Sequence, residues 1–413
     1  MILMTIIHLF VLLVALSLST ATNFEQFGLK LYSSVSQNKK NENIFLSPAS
    51  ISLAMSMCAV GAQQETLNQM LQAFEVSSGN ELIKTVEQIM DIFSIATQDK
   101  QVQLKLANRL YAQKAYQLQE EYLKIVQIFF KADMKLEDFE NESAQAVQRI
   151  NTWVEQQTNN LIRNLLSTRD VTPDTRLIII NSIYFKGTWI KEFNKNLTNQ
   201  NANFYETNGK ISKVTLMHQK GQFAYAENND LHVQIVHVPY KSENKDVEFV
   251  FTVILPNRGV QLDVVEQNLA SQPDLMQKLF SREKTRTEEL NLYLPKFKME
   301  TTFELSDVLQ QLGMKDAFNG HKANFSGIVS TKNNQNRLYI SKIIHKAFID
   351  VNEQGSEAAA ATAVVISVFT TSVHEQPHPI EFKADRPFLF FIRESRQNIV
   401  LFSGRFISPP ANS

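Results

Sequence analysis

The sequence predicts an α+β fold in a single large domain. Helix patterns crowd the first half of the chain and strand patterns the second, without the regular β–α alternation that builds a parallel sheet. The 413 residues are 44% hydrophobic and 20% charged, an ordinary globular composition with ample apolar side chain for one large core. No internal repeat, low-complexity tract or linker divides them.

In chain order, residues 23–37 are amphipathic and predict a helix. Ser47-Pro48 suits a helix N-terminus and introduces 51–62, with Gly61 at its end. Helices follow over 65–74 and 81–96, a strand over 103–111, and helices over 120–130 and 143–161. The run Leu-Ile-Ile-Ile-Asn-Ser-Ile-Tyr over 177–184 has the pattern of a buried strand. Strand patterns then recur at 214–217, 222–226, 232–238, 247–255, 290–295 and 297–298. Residues 305–312 predict a helix stopped by Gly313. A long strand is expected over 337–352, with two final strands at 388–393 and 399–402.

The first residues differ from the rest. Ile6–Leu18 is a nearly unbroken apolar run followed by Ser19, Thr20 and Ala21. It is short for a bilayer span, and its small-residue end suits cleavage, so 1–21 is expected to be a signal peptide and 22–413 the mature, extracellular domain. Cys58 is the only cysteine, which excludes an intramolecular disulfide and leaves stability to the core. The net charge of -1 gives no electrostatic case for nucleic acid or membrane. Asn141, Asn196 and Asn324 head Asn-x-Ser/Thr sequons and are candidate glycan acceptors.

Motifs of catalysis are missing. The chain has no G-x-G-x-x-G, P-loop, G-x-S-x-G or C-x-x-C pattern. His374-Glu375-Gln376-Pro377-His378 matches H-E-x-x-H, whose chemistry needs both histidines one helical turn apart. Pro377 and Pro379 deny the stretch a regular helix, so a solvated loop is expected and no metal. Arg282, Lys284 and Arg286 alternate with Glu283, Glu288 and Glu289, which describes a solvated face.

The stretch 353–382, EQGSEAAAATAVVISVFTTSVHEQPHPIEF, mixes incompatible local preferences. Its alanines favour helix, whereas Val-Val-Ile-Ser-Val-Phe favours strand. Such conflicts mark functional sites. At a period of two, Ser356, Ala358, Ala360, Thr362, Val364, Ile366 and Val368 share one small, uncharged face that a sheet could bury. The residues alone leave a core strand and a short helix both open.

Several blocks, in order, resemble those of the serpin family. Glu353-x-Gly355-Ser356-Glu357 with Ala358, Ala359, Ala360, Ala361, Thr362 and Ala363 is similar to its reactive-loop hinge. Phe382-Lys-Ala-Asp385-Arg386-Pro387-Phe388-Leu-Phe is similar to the signature after that loop. Asn43-Ile-Phe-Leu-Ser47-Pro48-Ala-Ser50-Ile, Asn181-Ser-Ile-Tyr-Phe185-Lys-Gly-Thr-Trp189 and His345-Lys-Ala resemble its other blocks.

The resemblance implies one serpin domain of three β-sheets and about nine helices, with a reactive-centre loop at roughly 353–380. It implies a secreted inhibitor that is no enzyme and needs no cofactor, acting as a monomer. A serine protease would attack at Phe369–Thr370 and be trapped as an acyl-enzyme when Ser356–Val368 enters the sheet. An aromatic side chain before the scissile bond fits a chymotrypsin-like S1 pocket, such as that of cathepsin G or chymase. A bond shifted to Val368–Phe369 would favour elastase-like targets. By resemblance, Ser47, Ser50, Asn181 and His345 belong to the shutter where the sheet opens. Trp189 and Lys296 belong to the breach at its top, with Lys296 paired to Glu353. The helix near 81–94 holds only Lys84, so no heparin site is expected. The alternative within the same fold is a non-inhibitory carrier, chaperone or storage protein.

Overall fold

The computed structural model describes residues 24–281, 284–330, 337–356 and 378–410. Helix α1 covers 24–38. It is followed by β1 (Ile44–Leu46), α2 (Pro48–Ala59), α3 (Gln64–Phe74), α4 (Gly79–Gln98), β2 (Val102–Gln113) and α5 (Glu120–Phe130). Next come β3 (Asp133–Glu137), α6 (Ser143–Gln157), β4 (Leu177–Thr188), β5 (Asn199–Tyr205), β6 (Ile211–Asn228), β7 (Val233–Pro239) and β8 (Phe249–Pro256). The last third holds α7 (Leu262–Ser271), α8 (Pro273–Phe280), β9 (Arg286–Pro295), β10 (Phe297–Glu304) and α9 (Ser306–Gln311). It closes with β11 (Ile340–Asn352), β12 (Gly355–Ser356), β13 (Ile380–Lys383), β14 (Phe388–Glu394) and β15 (Ile399–Phe406).

The strands form two hydrogen-bonded networks. One has the order β10-β11-β12-β4-β2-β3; the other runs β1-β15-β14-β8-β7-β6-β9-β13, with β5 also on β6. The resemblance counts three sheets. Here β6 passes without a break from its pairing with β5 and β9 to its pairing with β7, which fuses two regions into one network. The same continuity explains why two strands were expected at 214–217 and 222–226. They are the ends of one strand.

Helix α2 lies between the networks, and all twelve of its residues are buried. A helix apolar on every side is a core helix. It begins where Ser47 caps it by accepting from the Ser50 N–H, with Pro48 in the first turn, three residues earlier than the hydrophobic run suggested. The main core spans both networks. A second core sits on the outer side of the six-stranded network, where Val147, Ile150 and Val154 of α6 cover Ile178, Ile180 and Ile344. Short elements escaped the sequence pattern. Strand β5 buries only Ala202 and Phe204 of its seven residues, β3 is a five-residue edge, and α7 and α8 are brief.

Candidate functional site

The site is the seam between β4 and β11. These strands run parallel and pair directly from Ile340↔Leu177 to Phe348↔Tyr184. Above Phe348 they part, and β12 fills the gap: Gly355 and Ser356 pair with Asn352 and Val351 of β11 on one side, and with Thr188 and Gly187 of β4 on the other. The hinge is therefore a two-residue antiparallel strand wedged between parallel neighbours.

Gly355 has φ +154, and a Cβ there would meet the Gly187 carbonyl oxygen at 1.9 Å. Close backbone approach, as well as conformational freedom, demands glycine. Ser356 is fully buried, and its Oγ lies 2.8 Å from the Tyr240 hydroxyl. Burial pushes the Tyr240 phenol far above its ordinary range, so it stays a neutral hydrogen-bonding group.

The top of the seam is closed by Trp189, which is wholly buried immediately after β4. Its Nε1–H donates to the Asn352 carbonyl at 2.9 Å, and its ring stacks on Tyr240 at 4.4 Å. The Phe193 N–H donates to the Glu353 carbonyl at 2.7 Å. Glu353 is only 3% exposed; its carboxylate accepts from Lys296 Nζ at 2.9 Å and Thr198 Oγ1 at 3.1 Å. Burial alone would raise this carboxyl, but the ammonium and the hydroxyl outweigh it and hold it below the usual range. A largely buried carboxylate with a half-exposed partner is a stronger restraint than a surface pair.

Midway down, Ser47, Ser50, Asn181 and His345 come together, all fully buried. Asn181 and His345 stand opposite each other across the seam. The Ser47 N–H donates to His345 Nε2 at 3.2 Å, which leaves the proton on Nδ1 to be donated to Asn181 Oδ1. Asn181 Oδ1 also accepts from Ser50 Oγ at 3.0 Å, and Asn181 Nδ2 donates to the Ser50 carbonyl and to Asn108 Oδ1. Ser47 Oγ ties the cluster to the Leu401 carbonyl of β15 at 2.7 Å. Burial pushes the His345 imidazole down to about 3, and its fixed tautomer has no place for a second proton.

Sequence reasoning missed Tyr240, Thr198 and Asn108. A lone asparagine inside an apolar strand was the one available signal, at Asn108. Glu357–Ala361, Phe369, Thr370 and His374 lie outside the described residues, as do 1–21 and Arg282. Among the remaining charges of that last cluster, Arg286 pairs with Glu288 at 2.8 Å and Lys220 with Glu289 at 3.3 Å. Asn141 and Asn196 are exposed, and Asn324 is half-buried.

Comparison with known proteins agrees on one family. The family model "Serpin (serine protease inhibitor)" matches residues 22–409. The chain is 37% identical to human "Leukocyte elastase inhibitor" over 394 residues, covering 93% of this chain and 98% of that protein. It is 34% identical to human "Serpin B3" over 410 residues, covering 95% of this chain and 100% of the relative. The crystal structure of Serpin48 from the insect Tenebrio molitor superposes with a TM-score of 0.80 at 27% identity, covering 95% and 98% of the two chains.

Proposed function

The chain belongs to the serpin family of serine protease inhibitors, and on that premise we propose that it traps a chymotrypsin-like protease by cleavage at Phe369–Thr370. The observation that carries this reading is the wedge of Gly355–Ser356 in the β4–β11 seam. Extending the hinge register down β4 without a slip brings Ile366 opposite Leu177, so Gly355–Ile366 matches the length of β4. Ser356 points toward Tyr240, between the two networks. The residues that alternate with it, Ala358, Ala360, Thr362, Val364 and Ile366, are the small, uncharged face read from the sequence. A strand of that composition enters the core side with neither a buried charge nor a clash.

Once the protease serine has formed its ester with the Phe369 carbonyl, insertion of that strand carries the acylated enzyme away from its resting place. The strain distorts the oxyanion hole, and hydrolysis of the ester stalls. Phe369 suits an apolar S1 pocket, and 354–381 contains no Lys or Arg for a trypsin-like one. The likeness to a protein named an elastase inhibitor supports an elastase-type target should the bond lie at Val368–Phe369. The apolar run before Ser19, together with a family match that begins at residue 22, supports secretion. The experiment is a titration of chymotrypsin, elastase and trypsin with the protein. Stoichiometric loss of chymotrypsin activity, and a switch to trypsin in Phe369→Arg, is the expected result. Full chymotrypsin activity at molar excess of inhibitor contradicts the reading.

A further inference from the structure

We propose that Asn196 is the site of N-linked glycosylation on this protein, and that the oligosaccharide covers apolar surface beside the hinge. This rests on the reading that the chain enters the secretory route. The three sequons differ once the chain is folded. Asn141 Nδ2 lies 3.1 and 3.2 Å from the two carboxylate oxygens of Asp138, and its backbone N–H donates to the same carboxylate at 3.0 Å. Asp138 is buried and also pairs with Lys114. A glycan replaces one of the two amide hydrogens and brings bulk to that nitrogen, so modification there breaks the cluster. Asn324 is half-buried; its Nδ2 donates to Gln64 Oε1 at 3.2 Å and its Oδ1 accepts from the Ser326 N–H at 3.2 Å.

Asn196 differs on each count. It is exposed, its backbone N–H is satisfied by Asn194 Oδ1 at 2.9 Å, and its side-chain amide has no hydrogen-bond partner among the described residues. It sits in the 3₁₀ turn Lys195–Leu197, between Trp189 and the Thr198 hydroxyl that holds Glu353. Two of the large apolar side chains that solvent reaches are in this same short segment, Ile190 at 58% and Leu197 at 52% exposure. Large apolar side chains left in water at the edge of a site are a liability that a hydrated glycan shields.

The test expresses the full chain in a eukaryotic secretory cell, once behind its own first 21 residues and once behind a proven leader. Asn141→Gln, Asn196→Gln, Asn324→Gln, Thr198→Ser and Thr198→Ala are compared on gels with and without endoglycosidase. One endoglycosidase-sensitive step is expected, lost in Asn196→Gln and Thr198→Ala and kept in the other three. A step that survives Asn196→Gln, or no step behind the proven leader, overturns the site. Failure of secretion behind the native residues alone contradicts the localisation and leaves the site assignment readable from the second expression. The shielding is tested by enzymatic deglycosylation of the folded protein, which should raise the fluorescence of an apolar dye. Unchanged fluorescence overturns that part.

Discussion

At the scale of single residues, His345 is the most sharply testable group. Its imidazole is held neutral by burial, with a folded value of about 3 against an unfolded one near 6.5. The unfolded chain therefore binds a proton that the folded chain refuses, and stability falls as pH drops from about 6.5 toward 3. The slope from this one group is about 1.4 kcal/mol per pH unit. Urea unfolding of the parent and of His345→Gln between pH 7 and 5 should show the parent losing the more stability, by about 2 kcal/mol over 1.5 units. Parallel pH profiles would show that His345 is charged or solvated. At Gly355 the prediction is steric. Gly355→Ala drives a methyl into the Gly187 carbonyl and strains φ, so β12 should leave the seam at a cost of about 1–3 kcal/mol. Hydrogen exchange at Trp189 and Gly355 reads this directly, and unchanged protection would contradict it.

At the scale of elements, the breach depends on a few long-range contacts that bind the end of β11 to the segment after β4. Lys296→Gln leaves the Glu353 carboxylate largely buried with the Thr198 hydroxyl and its own backbone N–H as partners. Because Lys296 is itself half-exposed, the expected loss is modest, about 1 kcal/mol, with the Glu353 carboxyl moving up. Thermal unfolding at pH 7 measures it, and a variant as stable as the parent would show the pair to be neutral. Trp189→Ala removes a fully buried ring stacked on Tyr240 and should cost about 3–5 kcal/mol. The strong periodic elements were legible in the sequence: α5 begins and ends where its pattern does, the buried strand read over 177–184 is the first part of β4, and the long strand read over 337–352 contains β11. Strand β5, with most of its side chains in solvent, and β13, four residues of which only Phe382 is buried, carried no such signal. The site divided in the same way. Ser47, Ser50, Asn181, His345, Trp189 and Lys296 were placed by motif resemblance, whereas Tyr240 and Thr198 act through contacts made only when β7's end and β5's approach fold over the hinge. Periodicity describes a face of one element, and those contacts belong to none.

At the scale of the whole molecule, two networks share a core, and one of them contains a parallel seam already parted at its top by two residues of the hinge. Direct pairing below that point leaves the β4 and β11 edges available to a strand only if they first separate, which breaks the His345–Asn181 bridge. On the proposed mechanism, the cluster of Ser47, Ser50, Asn181 and His345 would thus restrain the same motion that trapping requires. The central claim is that cleavage at Phe369–Thr370 leads to covalent capture rather than turnover. It is tested most directly by mixing the protein with chymotrypsin and examining the products under denaturing conditions. A complex that survives denaturation is expected at the summed mass less that of residues 370–413, together with a free C-terminal peptide beginning at Thr370. A clean cut with the protease still active, and no such complex, would contradict it.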